Sequence, residues 1–202
     1  VNAATAYARL SGLGPEVVRT SEAAAVLGLS RVAASQTLKR LAATGLIRPL
    51  RSGMFWVRRE AIDPWVALQW LAAPYPAYAS VYSALSLHGV LSQLPQTHYA
   101  ATLGRSRTIE TSTGMFSLHR LAPELFGGFE TLDGGAKVAT VEKALFDLAY
   151  LAPTRSRLFA RPPELELPRR INRAELERWM KRVSDPRREA AVRQRLDGWL
   201  AR

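Results

Sequence analysis

The sequence predicts an α+β fold in two parts, divided near residue 63. Three observations carry that reading. Residues 1–63 hold two helical patterns joined by a glycine turn and followed by a hairpin pattern, the middle of the chain is a series of short β-rich runs broken by Gly, Pro and Ser, and residues 172–202 carry two amphipathic helical stripes. With 202 residues, 48% of them hydrophobic, the chain is long enough to bury a core.

Composition narrows the chemistry before any element is placed. Cysteine is absent, which excludes disulfides and thiolate metal sites, and the three histidines, His88, His98 and His119, are scattered. Neither a metal nor a cofactor is expected. There is no charged leader with a short apolar run and no stretch of about eighteen apolar residues, so a cytoplasmic protein without membrane contact is expected. The net charge of +11 is unevenly placed: residues 1–63 carry nine Lys/Arg against four acids, 64–152 five against six, and 153–202 fourteen against seven. Basic surfaces favour polyanionic partners, because each phosphate neutralised releases counterions. Arg outnumbers Lys 24 to 4, as in proteins of GC-rich genomes, so the placement of charge has to decide rather than its amount.

Residues 3–12 read as a first helix and "EVVRT" (16–20) as a short strand able to pair with a later hairpin. Ser21 and Glu22 open a second helix to Leu27, with Ser21 as N-cap and the acid near the positive end of the helix dipole. Gly28 ends it, Leu29 plugs the corner, and Ser30 caps a third helix from Arg31 to about Thr44, stopped by Gly45. On a helical wheel Ala34, Leu38, Leu41 and Ala42 share the arc of a buried face, and Val32, Ala33, Gln36, Lys39 and Arg40 fall opposite. "LIRPLRSGMFWVRR" (46–59) gives two alternating runs joined by Arg51-Ser52-Gly53, a hairpin whose tip is made basic by Arg48 and Arg51. Helix, strand, helix, helix, hairpin is the order of a winged helix-turn-helix.

Such a unit lays its second motif helix in the major groove and its wing along the adjacent backbone. Double-stranded DNA is therefore the expected partner. The expected contacts are Arg31, Val32, Ala33, Ser35, Gln36, Lys39 and Arg40 on the helix and Arg48, Arg51 and Ser52 on the wing. Small residues and Gln36 permit close approach to base edges, the amide of Gln36 matching adenine, while the cations reach phosphates.

Residues 64–202 form the second predicted domain, α+β with a small mixed or antiparallel sheet. Pro64, Pro74 and Pro76 mark its start, with "WVALQWLAA" (65–73) as a connecting helix. "SVYSALSLHGVL" (80–91) reads as a helix capped by Ser80, with Val81, Ala84, Leu85 and His88 on its core side. Strands are expected at "THYAATL", "RTIETS", "MFSLHRL", "FETLD" and "KVATV", then a helix from Val141 to Leu151 capped by Thr140. Lys143 and Asp147 lie four apart on it, the spacing of a helix-surface ion pair worth about 0.3–0.5 kcal/mol, with contact to a partner as the second reading. Arg105 and Arg107 form a basic loop that touches nucleic acid or sits in water. After the proline-rich "RPPELELP" (161–168), Asn172 caps one helix and Asp185-Pro186 separates it from another. Their apolar stripes, Leu176, Trp179, Met180 and Val183, then Ala191, Val192, Leu196, Trp199 and Leu200, dock onto the core. The Arg-rich outer faces are left to DNA or to solvent.

The succession "YASVYSALSLHGVL" (78–91), "QLPQTHYAAT" (93–102), "MFSLHRLAPELFGG" (115–128) and "VATVEKALFDLAYL" (138–151) behind a winged helix resembles the AbiEi family, antitoxins of abortive-infection type IV toxin–antitoxin systems. The similarity covers about residues 15–152, with "YSALSLHG" and "ATVEKALFDL" its most specific pieces; many members carry proline where this chain has Val141. The resemblance implies a transcriptional autorepressor that binds repeats in its own promoter, and a second domain that opposes a nucleotidyltransferase-like toxin without a stable complex. The residues on which that opposition is expected to rest are Tyr82, Tyr99, Arg105, Glu142, Lys143 and Asp147.

No enzyme is expected. A metal-dependent nuclease needs an acid and a lysine two apart, and although Asp133 can serve as a first acid, Glu142 and Lys143 are adjacent and Ala144 stands two after Glu142. No serine on a glycine elbow accompanies the histidines, and "GGFETLDGG" is two turns rather than a phosphate loop. Two other classes compete with the antitoxin reading. One is a ligand-responsive winged-helix transcription factor whose pocket is lined by Tyr75, Tyr78, Tyr82 and Tyr99; the other is a DNA-processing enzyme that uses the wing to find its site.

Overall fold

A computed structural model of the chain describes residues 2–58, 60–152, 159 and 163–201. Arg59 at the end of the predicted hairpin and Arg161 and Pro162 of the proline-rich stretch lie outside them. The described residues form a mixed α+β structure with eight α-helices and two sheets.

The N-terminal unit runs α1 (Ala3–Ser11), β1 (Val17–Arg19), α2 (Thr20–Leu27), α3 (Arg31–Ala43), β2 (Arg48–Arg51) and β3 (Met54–Trp56). β3 pairs antiparallel with both β1 and β2, so "EVVRT" does join the hairpin. Helix α2 starts one residue before the expected cap. Ser21 lies inside it, and the Arg19 backbone N–H is held by the Glu22 carboxylate at 2.7 Å, because a carboxylate three residues into the helix reaches back to a free amide better than Ser21 reaches forward. Gly28 turns the chain at φ 65°, and the Leu29 N–H returns to Ala24 O at 2.9 Å, leaving Leu29 packed at the corner. Ser30 Oγ accepts from Ala33 N at 3.2 Å and opens α3 as expected. Leu10, Val18, Leu27, Leu38, Leu41, Ile47 and Phe55 close the core of this unit.

Helix α4 (Pro64–Ala72) follows, its N-terminus capped by Asp63, then β4 (Ala77–Ala79), α5 (Val81–Leu87), β5 (Thr97–Thr102), β6 (Arg107–Thr111), β7 (Gly114–Arg120), β8 (Phe129–Thr131), β9 (Lys137–Ala139), α6 (Val141–Leu151), α7 (Arg173–Met180) and α8 (Pro186–Leu200). The second sheet has the order β6-β7-β5-β4-β9-β8 and is mixed: β7/β5 and β4/β9 are parallel, the other pairs antiparallel. β4 was not among the expected strands, although it lies inside the sheet. Three residues of Ala-Tyr-Ala behind two prolines carry no period of their own, and burial between β5 and β9 makes the strand.

Side chains alternate across this sheet. Ala100, Phe116 and Leu118 face α4, whereas Ala101, Tyr78 and Val138 face the layer of α5 to α8. The α4-side core does not stop at residue 63: Val17, Leu50, Met54 and Trp56 share it with Val66, Leu68, Leu71 and Phe116, and Ser112 N donates to Leu50 O at 2.9 Å. The C-terminal stripes dock as expected, with Leu176, Trp179, Met180, Val192 and Leu196 buried against the layer containing α6. Among the described residues no helix is long and apolar enough to cross a membrane.

Gly128 sits where three elements meet. Its φ is +69°, its carbonyl accepts from Thr140 N just before α6, and a Cβ there would lie 2.6 Å from Trp179 Cζ2 and 2.9 Å from Lys143 Cγ. Gly128→Ala is expected to cost about 2–4 kcal/mol from left-handed strain plus overpacking, read by urea denaturation. An unchanged midpoint contradicts that packing.

Candidate functional site

Helix α3 buries Ala34, Thr37, Leu38 and Leu41 and turns the opposite arc outward. Arg31, Val32, Gln36, Lys39 and Arg40 are exposed, Val32 to 69%, while Ala33 and Ser35 are half-buried. An apolar side chain so open to water at the start of a capped helix contributes nothing to this fold. Thr37, absent from the expected core, is buried because its hydroxyl donates to Ala33 O at 2.9 Å and so needs no water. Arg40 donates to Thr37 Oγ1 at 3.4 Å, which lays its stem along the helix. Among the described residues no carboxylate pairs with Arg31, Lys39, Arg40, Arg48 or Arg51. The α3 face is thus cationic and unneutralised.

The hairpin divides the two arginines that the sequence reading placed together at its tip. Arg51 and Ser52 lie exposed at the turn, with Gly53 at φ 75° and its carbonyl accepting from Thr20 N at 3.0 Å, which pins the tip to the start of α2. Arg48 is at the other end of the strand, opposite Trp56, and its guanidinium donates to Glu60 O. It is a brace at the hairpin's base, because β2 is four residues long and only its last residue reaches the turn. The turn also borders a cleft of about 560 Å³ shared with Arg19, Trp70, Arg107 and Glu110.

In the second unit the six residues expected to oppose a toxin do not converge. Lys143 and Asp147 are 0% exposed, which overturns the reading of a helix-surface ion pair. Lys143 Nζ bonds Asp147 Oδ1 and donates to Leu125 O at 2.7 Å, with the Trp179 ring 4.4 Å away. The other carboxylate oxygen accepts from Tyr78 OH at 3.0 Å and Ser80 Oγ at 2.7 Å. Burial pushes the Asp147 carboxyl up and the Lys143 ammonium down, and burial followed by the Asp147 charge raises the Tyr78 hydroxyl well above its ordinary range. Ser80 therefore does not cap α5 with its side chain as expected; its hydroxyl is spent on Asp147. Glu142 accepts from Asn172 N at 2.7 Å and ties α6 to the start of α7, and Arg105 is exposed on the loop before β6. Lys143 and Asp147 are thus sealed inside the fold, and Glu142 is engaged by the start of α7.

Tyr82 and Tyr99 do meet, edge to face at 5.4 Å, and both pack on Phe159. Burial, then the neighbouring Tyr99, pushes the Tyr82 hydroxyl up to about 12. The four tyrosines proposed as one pocket lie apart: Tyr78 is sealed on Asp147, Tyr75 is half exposed against Gly104, and Tyr82 and Tyr99 fill their own contact. Tyr99 also stacks on His119, whose Nε2 is 2.9 Å from Ser117 Oγ. His88, expected on the core side, has its Nε2 2.8 Å from Ala139 O but stands exposed, since α5 ends one residue earlier. Among the described residues no three His, Asp or Glu side chains are grouped to hold a metal ion.

No protein-family model matches the chain, and no curated protein matches it.

Two outcomes follow from these geometries. Lys143→Met leaves a buried carboxylate without its cation and is expected to cost about 3–5 kcal/mol in chemical denaturation, while Lys143→Met/Asp147→Leu costs clearly less than the two single changes summed. Additive losses would mean that the pair is not coupled. Burial lowers the His119 pKa from 6.5 to about 4, so the unfolded chain takes up this proton first as pH falls. The stability tied to neutral His119 is complete above pH 6.5 and lost on descending to pH 4, about 3 kcal/mol in all. His119→Gln should remove that part of the acid slope in a pH series of thermal melts.

Proposed function

We propose that residues 1–63 are a winged helix-turn-helix and that the chain is a DNA-binding autorepressor which also acts as the antitoxin of a type IV toxin–antitoxin system. The observation that carries the DNA reading is the outward face of α3: Arg31, Val32, Gln36, Lys39 and Arg40 are exposed on a helix whose N-terminal end is capped, and among the described residues no carboxylate pairs with its cations. Val32 and Gln36 have the size and chemistry to meet base edges, and Lys39, Arg40 and Arg51 those to meet phosphates. Arg48, held at the base of the hairpin, is left out of the contact set. The antitoxin half of the reading rests on the resemblance of residues 78–151 to the AbiEi family. It assigns no catalytic step to the chain, and it places the opposition to a nucleotidyltransferase-like toxin in cells rather than in a stable complex.

Binding to the chain's own promoter, followed by fluorescence anisotropy against salt, tests the DNA half. Gln36→Ala should relax discrimination at one base position by about 1–3 kcal/mol, whereas Lys39→Ala and Arg51→Ala should weaken binding to every sequence and lower the salt slope by about one. If none of the three changes operator affinity, α3 is not the reading element. Point substitutions serve better than removal of residues 64–202, because Leu50, Met54 and Trp56 would lose the α4-side core that covers them. Growth rescue on co-expression with each adjacent gene tests the antitoxin half.

A further inference from the structure

The cleft of about 560 Å³ beside the hairpin turn opens between the three-stranded sheet, α4 and β6, and the geometry points to it as a binding site for a small aromatic phosphate. This site goes beyond the DNA reading and does not rest on it. Arg19, Met54 and Arg51 stand in a row across β1, β3 and β2, and directly opposed residues share one face of a sheet. Met54 packs in the α4-side core, so both arginines are turned toward α4. The register shift between Pro49 and Arg51 is what brings Arg51 to that side. Arg107 arrives from the opposite wall. It opposes Leu118 and lies two residues from Ile109, both members of the same core, and one terminal nitrogen of its guanidinium donates to Leu71 O at 2.9 Å near the end of α4. Three guanidiniums therefore line one cleft, and among the described residues none of them is paired with a carboxylate.

Each guanidinium offers a planar fork of N–H donors matched to phosphate oxygens. Beside them Trp70, half-buried on α4, presents an indole to the cleft. A concavity of this volume is the form of a small-molecule site, and a bare anion would leave the indole unused. Glu110 is the one carboxylate among the described residues of the lining. Three residues after Arg107 on the edge strand β6, it points to the opposite face and meets the cleft only along the strand edge. A duplex fits less well. Val18 and Phe55 turn the other face of the three-stranded sheet to the core of α1, α2 and α3, so that sheet stands between α3 and the cleft. DNA seated on α3 would meet the hairpin at its turn rather than behind it.

NMR titration of the full chain with phenyl phosphate, inorganic phosphate and phenol tests the assignment. The readout is the Trp70 indole N–H signal, which Trp70→Phe identifies by its loss. Expected is saturable binding of phenyl phosphate, about tenfold tighter than that of either inorganic phosphate or phenol. Arg19→Ala, which keeps the backbone N–H bond to Glu22, should weaken it about tenfold, the worth of one charge-assisted hydrogen bond. Arg107→Gln should act in the same direction, with thermal melting as a check because it also loses the bond to Leu71 O. Lys39→Ala should leave phenyl phosphate binding intact and Arg19→Ala should leave operator binding intact, so this site and the DNA reading fail separately. An unmoved Trp70 signal, equal affinity for inorganic phosphate, indifference to Arg19→Ala, or operator binding weakened by Arg19→Ala as much as by Lys39→Ala would each overturn the assignment, the last by giving the cleft to DNA.

Discussion

Lys143 and Asp147 form an ion pair with no exposed surface, and the second unit is assembled around the need to satisfy it. Taking two charges out of water costs several kcal/mol per ion unless every remaining lone pair and proton finds a partner. Here the partners come from elements far apart in the chain: Leu125 O from the turn before β8, Tyr78 from β4, Ser80 from the corner before α5, and the Trp179 ring from α7. The network is satisfied only when those four elements and α6 are in register, so it selects one packing rather than merely adding stability. The short middle strand β4 supplies Tyr78 to that network, and Val81, at φ 53° in a region hostile to a β-branched residue, directly follows Ser80. The "EKALFD" stretch is therefore skeleton. A likeness carried by those residues reports on the fold more directly than on any surface.

The two units are joined by more than a linker. Trp56 and Leu50 of the hairpin share one apolar core with α4 and the sheet, the Ser112–Leu50 bond fixes the hairpin to the β6–β7 turn, and Asp63 caps α4 at the junction. Consequently the orientation of the α3 face relative to the sheet is set by packing. That differs from two domains on a flexible tether, for which relative motion is the default.

Positive charge is distributed by use. On α7 and α8, Arg193 is held by Glu177 and Glu189 at the surface, and its hydrogen bonds keep the Glu177 carboxyl below its ordinary range. Such exposed pairs add little stability, yet they remove a cation from the free surface. Arg182 lies over the Trp179 ring and Arg188 over Tyr150, so the arginines of the C-terminal helices are partly consumed by the fold. Among the described residues the cations of α3 and of the hairpin turn have no such engagement with carboxylates.

The sequence by itself determined the elements whose signals are local: the Gly28 turn, the Ser30, Thr140 and Asn172 caps, five strands bounded by turn residues, the hairpin and the outward arc of α3. Caps, turns and amphipathic arcs depend on neighbours within a few residues, and those are printed in order. Only the tertiary structure decided the fate of Lys143 and Asp147, whose four-residue spacing is the same for a solvated pair and a buried one. A clue was present in α6, apolar on nearly all sides apart from Glu142, Lys143 and Asp147, which is the pattern of a helix surrounded by protein. The place of β4 and the anchoring of Arg48 on Glu60 were likewise invisible, because each is fixed by contacts between residues that are not neighbours in the chain.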